Sequence, residues 1–424
     1  MQTVWQKVKM VFTDRLLRRR VLIMLAALFV FRLMAAIPVP GIDAAKLALF
    51  INNNQFFGVL SIFSGGGLST LSIIMLGVGP YITSSIILQL LTIMVPRLKQ
   101  LYQEEGEIGR KKFAQYSRLL TVPLAALQGF SLLAILERQG VLAGIDTFHK
   151  LVALVVVIAG SVLLMWIGEI VSEFGIGNGV SLIIFAGIVS RTPREISQFF
   201  FSFDASQIPT LIAFLAVALI VIAAVVFVTE AERSIPVTYA KRVSGNTTSG
   251  GVSTYLPLRI NQAGVMPIIF ALSLLLFPQL AGAYLGGLTS HPILASIGHA
   301  LSGFTQSTWA YALAYFLLVF LFTYFYTAIT FDPHQLAENL QKTGAFIPGV
   351  RPGNQTEEYI ANITSRITFI GGLFLGFIAV IPLILKQLTG VTSIAVGGTA
   401  LLIVVSVVLD LLKRIDAQLS MREY

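Results

Sequence analysis

No cysteine occurs in the 424 residues, which leaves the chain no disulfide framework, no thiolate nucleophile and no sulfur-ligated metal site. Histidine is nearly as scarce: His149, His291, His299 and His334 stand outside the long apolar runs, so no histidine cluster suggests a metal. An intramembrane serine hydrolase would want a histidine on a helix beside its nucleophile, and an aspartyl enzyme would want two buried carboxylates. Neither set is offered. Charge is sparse as well. Charged residues make up 12% of the chain, against about 25% in soluble domains, while 56% is hydrophobic. This is the composition of an all-α, polytopic membrane protein.

What is present is a series of apolar runs. A helix crossing about 30 Å at 1.5 Å per residue needs about 20 residues, and the runs then give about ten spans. They fall near 21–37, 71–95, 117–136, 151–172, 179–200, 209–229, 264–285, 309–330, 367–385 and 392–412. The first has a basic stretch before it, as a secretory signal would, but Arg32 interrupts its core and "IPVPG" follows. It is expected to be a retained helix.

Orientation follows from lysine and arginine. With a cytosolic N-terminus, 22 of the 29 fall in inside segments and six in outside loops, with Arg32 in the first span. That asymmetry predicts cytosolic termini. It also accounts for the net charge of +9 without a nucleic-acid partner, while leaving room for a ribosome or an acidic motor at the inner face.

Three inside segments are large. Residues 94–116 contain the charged turn "EEGEIGRKK". In residues 230–263, Ile235, Val237 and Tyr239 alternate, then Val252, Thr254, Leu256 and Leu258, across "SGNTTSGG", which predicts a hairpin. Residues 331–366 begin with Asp332 as an N-cap and Pro333 in a first turn, and a short helix should stop at Gly344. The sequons at Asn246 and Asn362 lie on the cytosolic side and should carry no glycan.

Arg32, Glu169 and Asp410 are the ionisable groups near membrane depth, and snorkelling or local pairing accounts for each. A secondary transporter of a small solute is the rival class, since glycine- and proline-broken helices can also line a substrate site. Buried coupling carboxylates would mark it, and they are scarce.

The segments "FRLMAAIPVPGID", "SGGGLSTLSIIMLGVGPYITSSIILQLLT", "EGEIGRKKFAQYSR", "GIGNGVSLIIFAGI", "TYLPLRINQAGVMPIIFA" and "GAFIPGVRPGNQTEEYI" resemble, in order, the signature segments of the SecY family. Its members are central subunits of the bacterial protein-conducting translocon. The resemblance covers nearly the whole chain. It implies two pseudo-symmetric halves of five helices, 1–204 and 205–424, hinged near 200–209, the second carrying the cytosolic loops 230–263 and 331–366. It further implies a non-enzymatic channel without cofactor or metal.

The resemblance also assigns residues. A re-entrant plug spans 57–70, with Leu60, Phe63 and Leu68 as its apolar contacts and Gly65, Gly66 and Gly67 as its flexible part. Val78, Ile82 and Ile86 repeat at one helical face, which by spacing alone reads as packing. The resemblance places them in a hydrophobic pore ring with Val180, Ile184, Ile269 and Ile403. The second and third spans face the seventh and eighth as a lateral gate, with Thr83, Gln89, Asn261 and Phe277 on it. Arg351 in "PGVRPG" matches an arginine that serves the cytosolic driver, while for Lys241, Arg242 and Arg259 surface charge and partner contact both stay open. The implied partners are SecE and SecG, the motor ATPase SecA, the ribosome, signal sequences and nascent polypeptides, and the lipid bilayer.

Overall fold

The computed structural model describes residues 13–39, 64, 67–68, 71–138, 140, 146–201, 208–239, 242–244, 247–249, 253–286, 292–389 and 392–420. A helix lies at each of the ten expected spans. They are α1 (Arg15–Ala36), α2 (Gly79–Met94), α3 (Gly106–Arg138), α4 (Thr147–Phe174), α5 (Gly179–Phe201), α6 (Ile208–Glu230), α7 (Met266–Leu285), α9 (Thr308–Thr330), α11 (Asn354–Thr389) and α12 (Thr392–Ser420). Further helices are α8 (Pro292–Gln306) and α10 (Pro333–Lys342), besides a four-residue turn of helix at Pro96–Lys99. Among the described residues α3, α4, α9 and α11 are each long and apolar enough to cross a bilayer unaided, and α2 with the turn after it makes a fifth candidate.

The second span departs from its expected start. Residues 71–78 are turns, and α2 begins only at Gly79. Gly77 has φ +60°, and Pro80 in the first turn lacks the N–H that an earlier helical turn would need, so the helix starts where these two permit. At its other end the chain bends by 116° into Pro96–Tyr102. Pro96 ends α2, as the clash between a proline ring and the preceding helical residue requires.

The chain divides into two compact units. The first takes 1–209, 273–308 and 407–424, and the second takes 210–272 and 309–406, so α7 and α12 contribute to both. In the first, an apolar cluster gathers Val39, Leu68, Leu71, Met75 and Leu76 with Leu132 and Leu136 of α3, Val157 of α4, and Leu276 and Leu280 of α7. Gly160 of α4 faces the backbone carbonyl of Ile73, with no room for a Cβ between them. α2 and α3 are also clasped by polar groups. Ser84 Oγ donates to the Ser117 carbonyl at 2.6 Å, and Thr121 Oγ1 donates to Ser84 Oγ at 3.1 Å. Each hydroxyl thereby has a partner in a setting where an orphan would be costly.

All three ionisable groups noted at depth are partnered locally. Glu169 accepts from Arg118 Nε at 2.7 Å, joining α4 to α3, and Tyr81 of α2 lies beside the pair. Arg32 Nη1 donates to Ser190 Oγ at 3.3 Å, and Asp410 accepts from Arg414 Nε at 2.8 Å within α12.

The second unit holds the hairpin. Strand β1 (Glu232–Tyr239) pairs antiparallel with β4 (Ser253–Arg259), Glu232 opposite Arg259 and Thr238 opposite Ser253, while the short β2 (Arg242–Ser244) and β3 (Thr247–Ser249) pair beyond them. A two-residue strand, β5 (Ala345–Phe346), joins the other edge of β1. The alternation seen in the sequence is the burial pattern at Ile235, Val237 and Leu258, while Tyr239 and Thr254 of the same alternation are exposed. Ile235, Val237 and Leu258 are buried in one cluster with Ala345, Ile347, Ile360 and Ile367. Deeper in this unit α9 and α11 approach closely. Phe320 and Phe316 of α9 sit over Gly372 and Gly376 of α11, where a Cβ would come within 3.1 and 2.8 Å of their rings. Small residues four apart let membrane helices meet in this way.

Candidate functional site

The described residues of the expected plug segment are tied down at its C-terminal end. Leu68 and Leu71 have no exposed surface and belong to the first unit's apolar cluster. Ser64 Oγ accepts the Leu68 N–H at 2.9 Å, and the Gly67 carbonyl accepts both the N–H and the hydroxyl of Ser72 at 2.8 and 3.2 Å. Beyond Leu71 the chain bridges to the segment after α1. Val39 N–H donates to the Leu71 carbonyl at 2.8 Å and Ile73 N–H to the Ile37 carbonyl at 3.0 Å, around an antiparallel bridge of Pro38 and Ser72. Leu71 itself has φ +40°, unusual for a residue with a side chain. Leu60, Phe63, Gly65 and Gly66 lie outside the described residues.

Of the seven expected ring residues, Val78, Ile82, Ile86, Ile184, Ile269 and Ile403 are buried. Val180 is half-buried and leans on α4, where a Cβ at Gly168 would touch its Cγ2 at 3.4 Å. In the first unit Val78 caps α2, Ile82 and Ile86 continue its stripe, and Val180 and Ile184 share one face of α5. Every one of these side chains is branched and uncharged. A surface made of them repels water and ions while remaining deformable.

The residues expected at the gate have a different chemistry. Thr83 is buried and its Oγ1 has no hydrogen-bond partner among the described residues, as is true of Gln89 Oε1 and Asn261 Oδ1. Asn261 Nδ2 donates to the Gly264 carbonyl at 3.3 Å. Ser273 of α7, absent from the sequence expectation, carries a similarly unpartnered Oγ, and Phe277 one turn further is half-buried. A serine within an apolar run was the only signal available for it. Orphaned buried acceptors each cost about 1–3 kcal/mol, which water would relieve.

Arg351 occupies an exposed turn whose backbone is pinned. Gly349 and Gly353 take φ +84° and +97°, and Thr356 Oγ1 donates to the Arg351 carbonyl at 2.9 Å. The turn lies between α10 and α11. Asp332 caps α10, accepting from the N–H groups of His334 and Gln335, and the helix stops before Gly344, as its sequence predicts. His334 Nδ1 stands 2.8 Å from Glu357 Oε2, linking the first turn of α10 to the first turn of α11. The carboxylate's hydrogen bond and charge raise the imidazole pKa above its ordinary value. Arg259 is exposed at the end of β4, Arg242 lies in β2, and Lys241 falls outside the described residues.

Known proteins resemble this chain along nearly its whole length. The protein translocase subunit SecY of Corynebacterium glutamicum is 41% identical over 440 residues, covering 97% of each chain. That of Thermus thermophilus is 42% identical over 419 residues, covering 96% of this chain and 94% of its own. A solved protein-conducting channel superposes with a TM-score of 0.64 at 21% identity, covering 93% of this chain and 91% of its own. A second, described by a plug domain that maintains a membrane seal, gives 0.66 at 21% identity over 93% and 90%. A model of the family described as SecY matches residues 72–412, and with relatives this similar along nearly the full length, the chain belongs to the SecY family.

Proposed function

We infer that the chain is the channel subunit of a protein translocase, passing secretory polypeptides across the bacterial plasma membrane and releasing membrane helices sideways into lipid. The near full-length likeness to relatives named protein translocase subunit carries this reading. The channel performs no chemistry of its own. A cytosolic motor of the SecA type or a translating ribosome drives the polypeptide, SecE and SecG complete the complex, and both termini face the cytosol.

The residues divide the work by their chemistry. The segment 57–70 closes the resting pore, held by the burial of Leu68 and the bonds of Ser64 and Gly67. Val78, Ile82, Ile86, Val180, Ile184, Ile269 and Ile403 form the ring around a moving chain, their branched apolar side chains sealing it by fit without binding it. Thr83, Gln89, Asn261 and Phe277 line the gate between the halves 1–204 and 205–424. Three of these four carry a buried acceptor without a partner, so the closed gate forgoes hydrogen bonds that hydration supplies on opening. Arg351, on its pinned turn, meets the driver, with Lys241, Arg242 and Arg259 as further contacts. Reconstitution with SecA and a secretory precursor tests the whole. Protease-protected, ATP-dependent precursor is expected, and its complete absence alongside uptake of a small solute would assign the chain to the transporters.

A further inference from the structure

The connection between α7 and α9 holds more structure than joining two spans requires. α8 has 15 residues, about 22 Å at 1.5 Å per residue, and so falls short of a hydrocarbon core of about 30 Å. It follows α7 after a short link and meets α9 through Ser307 alone. α9 is long and apolar enough to cross a bilayer and α7 is an apolar helix of 20 residues, so on the channel reading above both ends of α8 are held at one membrane face.

At 100° per residue, Ile293, Leu294, Ile297, Ala300 and Phe304 share a stripe about 120° wide, and all five are exposed. Ile293 is 75% exposed, the most of these apolar side chains, and Ile297 47%. Ser296 and His299 lie to the other side, with Ser296 Oγ turned back onto the Ile293 carbonyl at 2.8 Å. Gly298 fixes the rotation of the helix. Its Cα faces the backbone of Gly286 at the end of α7 so closely that a Cβ would overlap the Gly286 amide, which turns that side of α8 to α7 and leaves Ile297 and His299 flanking the contact on opposite sides. The segment 292–306 contains no Asp, Glu, Lys or Arg. Helices that bind membranes by charge carry Lys or Arg on the polar face. α8 has only its apolar area to offer.

We propose that α8 is an interfacial lipid-binding helix, whose Ile293–Ile297–Phe304 stripe enters the acyl boundary of the adjoining leaflet and recognises loose lipid packing instead of lipid charge. Packing defects expose acyl chain to such a stripe, while an anionic headgroup has no cation on α8 to meet. Tight packing would therefore release α8, and with it the end of α7 that Gly286 and Gly298 join to it.

The cysteine-free chain makes the test direct. The full-length Ile297→Cys and His299→Cys variants, each labelled with an environment-sensitive NBD probe, are reconstituted in dioleoylphosphatidylcholine vesicles, with and without a third of dioleoylphosphatidylglycerol, and in vesicles of saturated lipid with cholesterol. The probe at 297 should be quenched by shallow nitroxide lipid at least threefold more than the probe at 299. That difference should be unchanged by the anionic lipid and should shrink in the tightly packed vesicles. Equal quenching at the two positions would overturn the proposal, as would shielding that needs the anionic lipid. Shielding of 297 from aqueous iodide without quenching by nitroxide lipid would assign the stripe to another polypeptide and overturn it too. Adding Ile293→Ser to Ile297→Cys should reduce the lipid quenching while intrinsic fluorescence and melting stay unchanged, and undiminished quenching in that variant would refute the role of the stripe.

Discussion

Leu68→Ala isolates what holds the plug. Leu68 has no exposed surface and packs in the cluster formed by α3, α4 and α7, so its truncation leaves a cavity as well as losing contacts. Buried Leu→Ala changes cost about 2–5 kcal/mol, and about 3 kcal/mol of lost docking would raise the displaced population by roughly 100-fold at 1.4 kcal/mol per decade. Ser64→Ala removes the hydroxyl that accepts the Leu68 N–H. A net hydrogen bond contributes about 1 kcal/mol, so that variant should open the plug about fivefold. Resting conductance of vesicles to chloride, measured with no precursor present, reads the displaced population directly. The order should be Leu68→Ala, then Ser64→Ala, then wild type, with melting temperatures close together, because the loss is confined to docking. A Leu68→Ala channel that stays tight while its melting temperature falls by several degrees would show that Leu68 supports the helix cluster and not the seal.

Four other expectations follow from the same geometry. Replacing Ile82 and Ile184, both buried, by glycine should widen the apolar ring and let protons and chloride leak at rest, and unchanged flux would reduce these residues to packing. Arg351→Glu should slow translocation severalfold at limiting SecA with no change in melting, since an exposed charge adds little stability, and a normal rate would remove its assigned role. Thr83 lies about 16 Å from the C-terminal end of α2 and Phe277 about 16 Å from the N-terminal end of α7 by helical rise, so cysteines at both should cross-link on oxidation and stop transport reversibly. Efficient cross-linking with undiminished transport would show that this seam need not open. Finally, the Glu357 hydrogen bond raises the His334 pKa, so the bond between α10 and α11 is fully formed below the ordinary histidine range and is lost as pH rises through the raised value. In an NMR titration Glu357→Gln should bring the His334 midpoint down, and an unmoved midpoint would mean that the pair is not formed in solution.

The parts of this molecule that could be read from its sequence are those whose cause is local. Apolar runs of membrane length placed a helix at every expected span, and alternation placed the hairpin, because periodicity is set by residues a few positions apart. Asp332, Pro333 and Gly344 bounded α10 for the same reason. What escaped depends on distant partners or on weak local signals. Glu169 stood out as a costly charge, but its partner Arg118 is 51 residues away, and only the packing of α3 on α4 selects it. β5 joins β1 across more than 100 residues with two pairs, too short a strand to announce itself. α8 was missed because it is shorter than a span and its polar face is built from serine and glycine, which weaken a helix signal. The start of α2 was legible in principle. Gly77 and Pro80 disfavour a helix through 71–78, and one span drawn over the whole apolar run passes over that punctuation.

The poor helix-forming character of this region has a physical use. A continuous helix over 71–95 would satisfy its own backbone and hold the preceding segment rigidly in line with it. The turns at 71–78 instead hand their hydrogen bonds to other parts of the chain: Ser161 Oγ donates to the Gly77 carbonyl at 3.0 Å, and Ile37 and Val39 bond to Ile73 and Leu71. Leu68 and Ser64 therefore sit beyond a junction whose contacts are each worth about 1 kcal/mol and can be given up one at a time. If this segment is the closure proposed above, apolar burial keeps it stable at rest and a polypeptide that supplies a comparable apolar surface displaces it. The weak residues of the sequence are thus concentrated where the resting and working states must differ least in free energy.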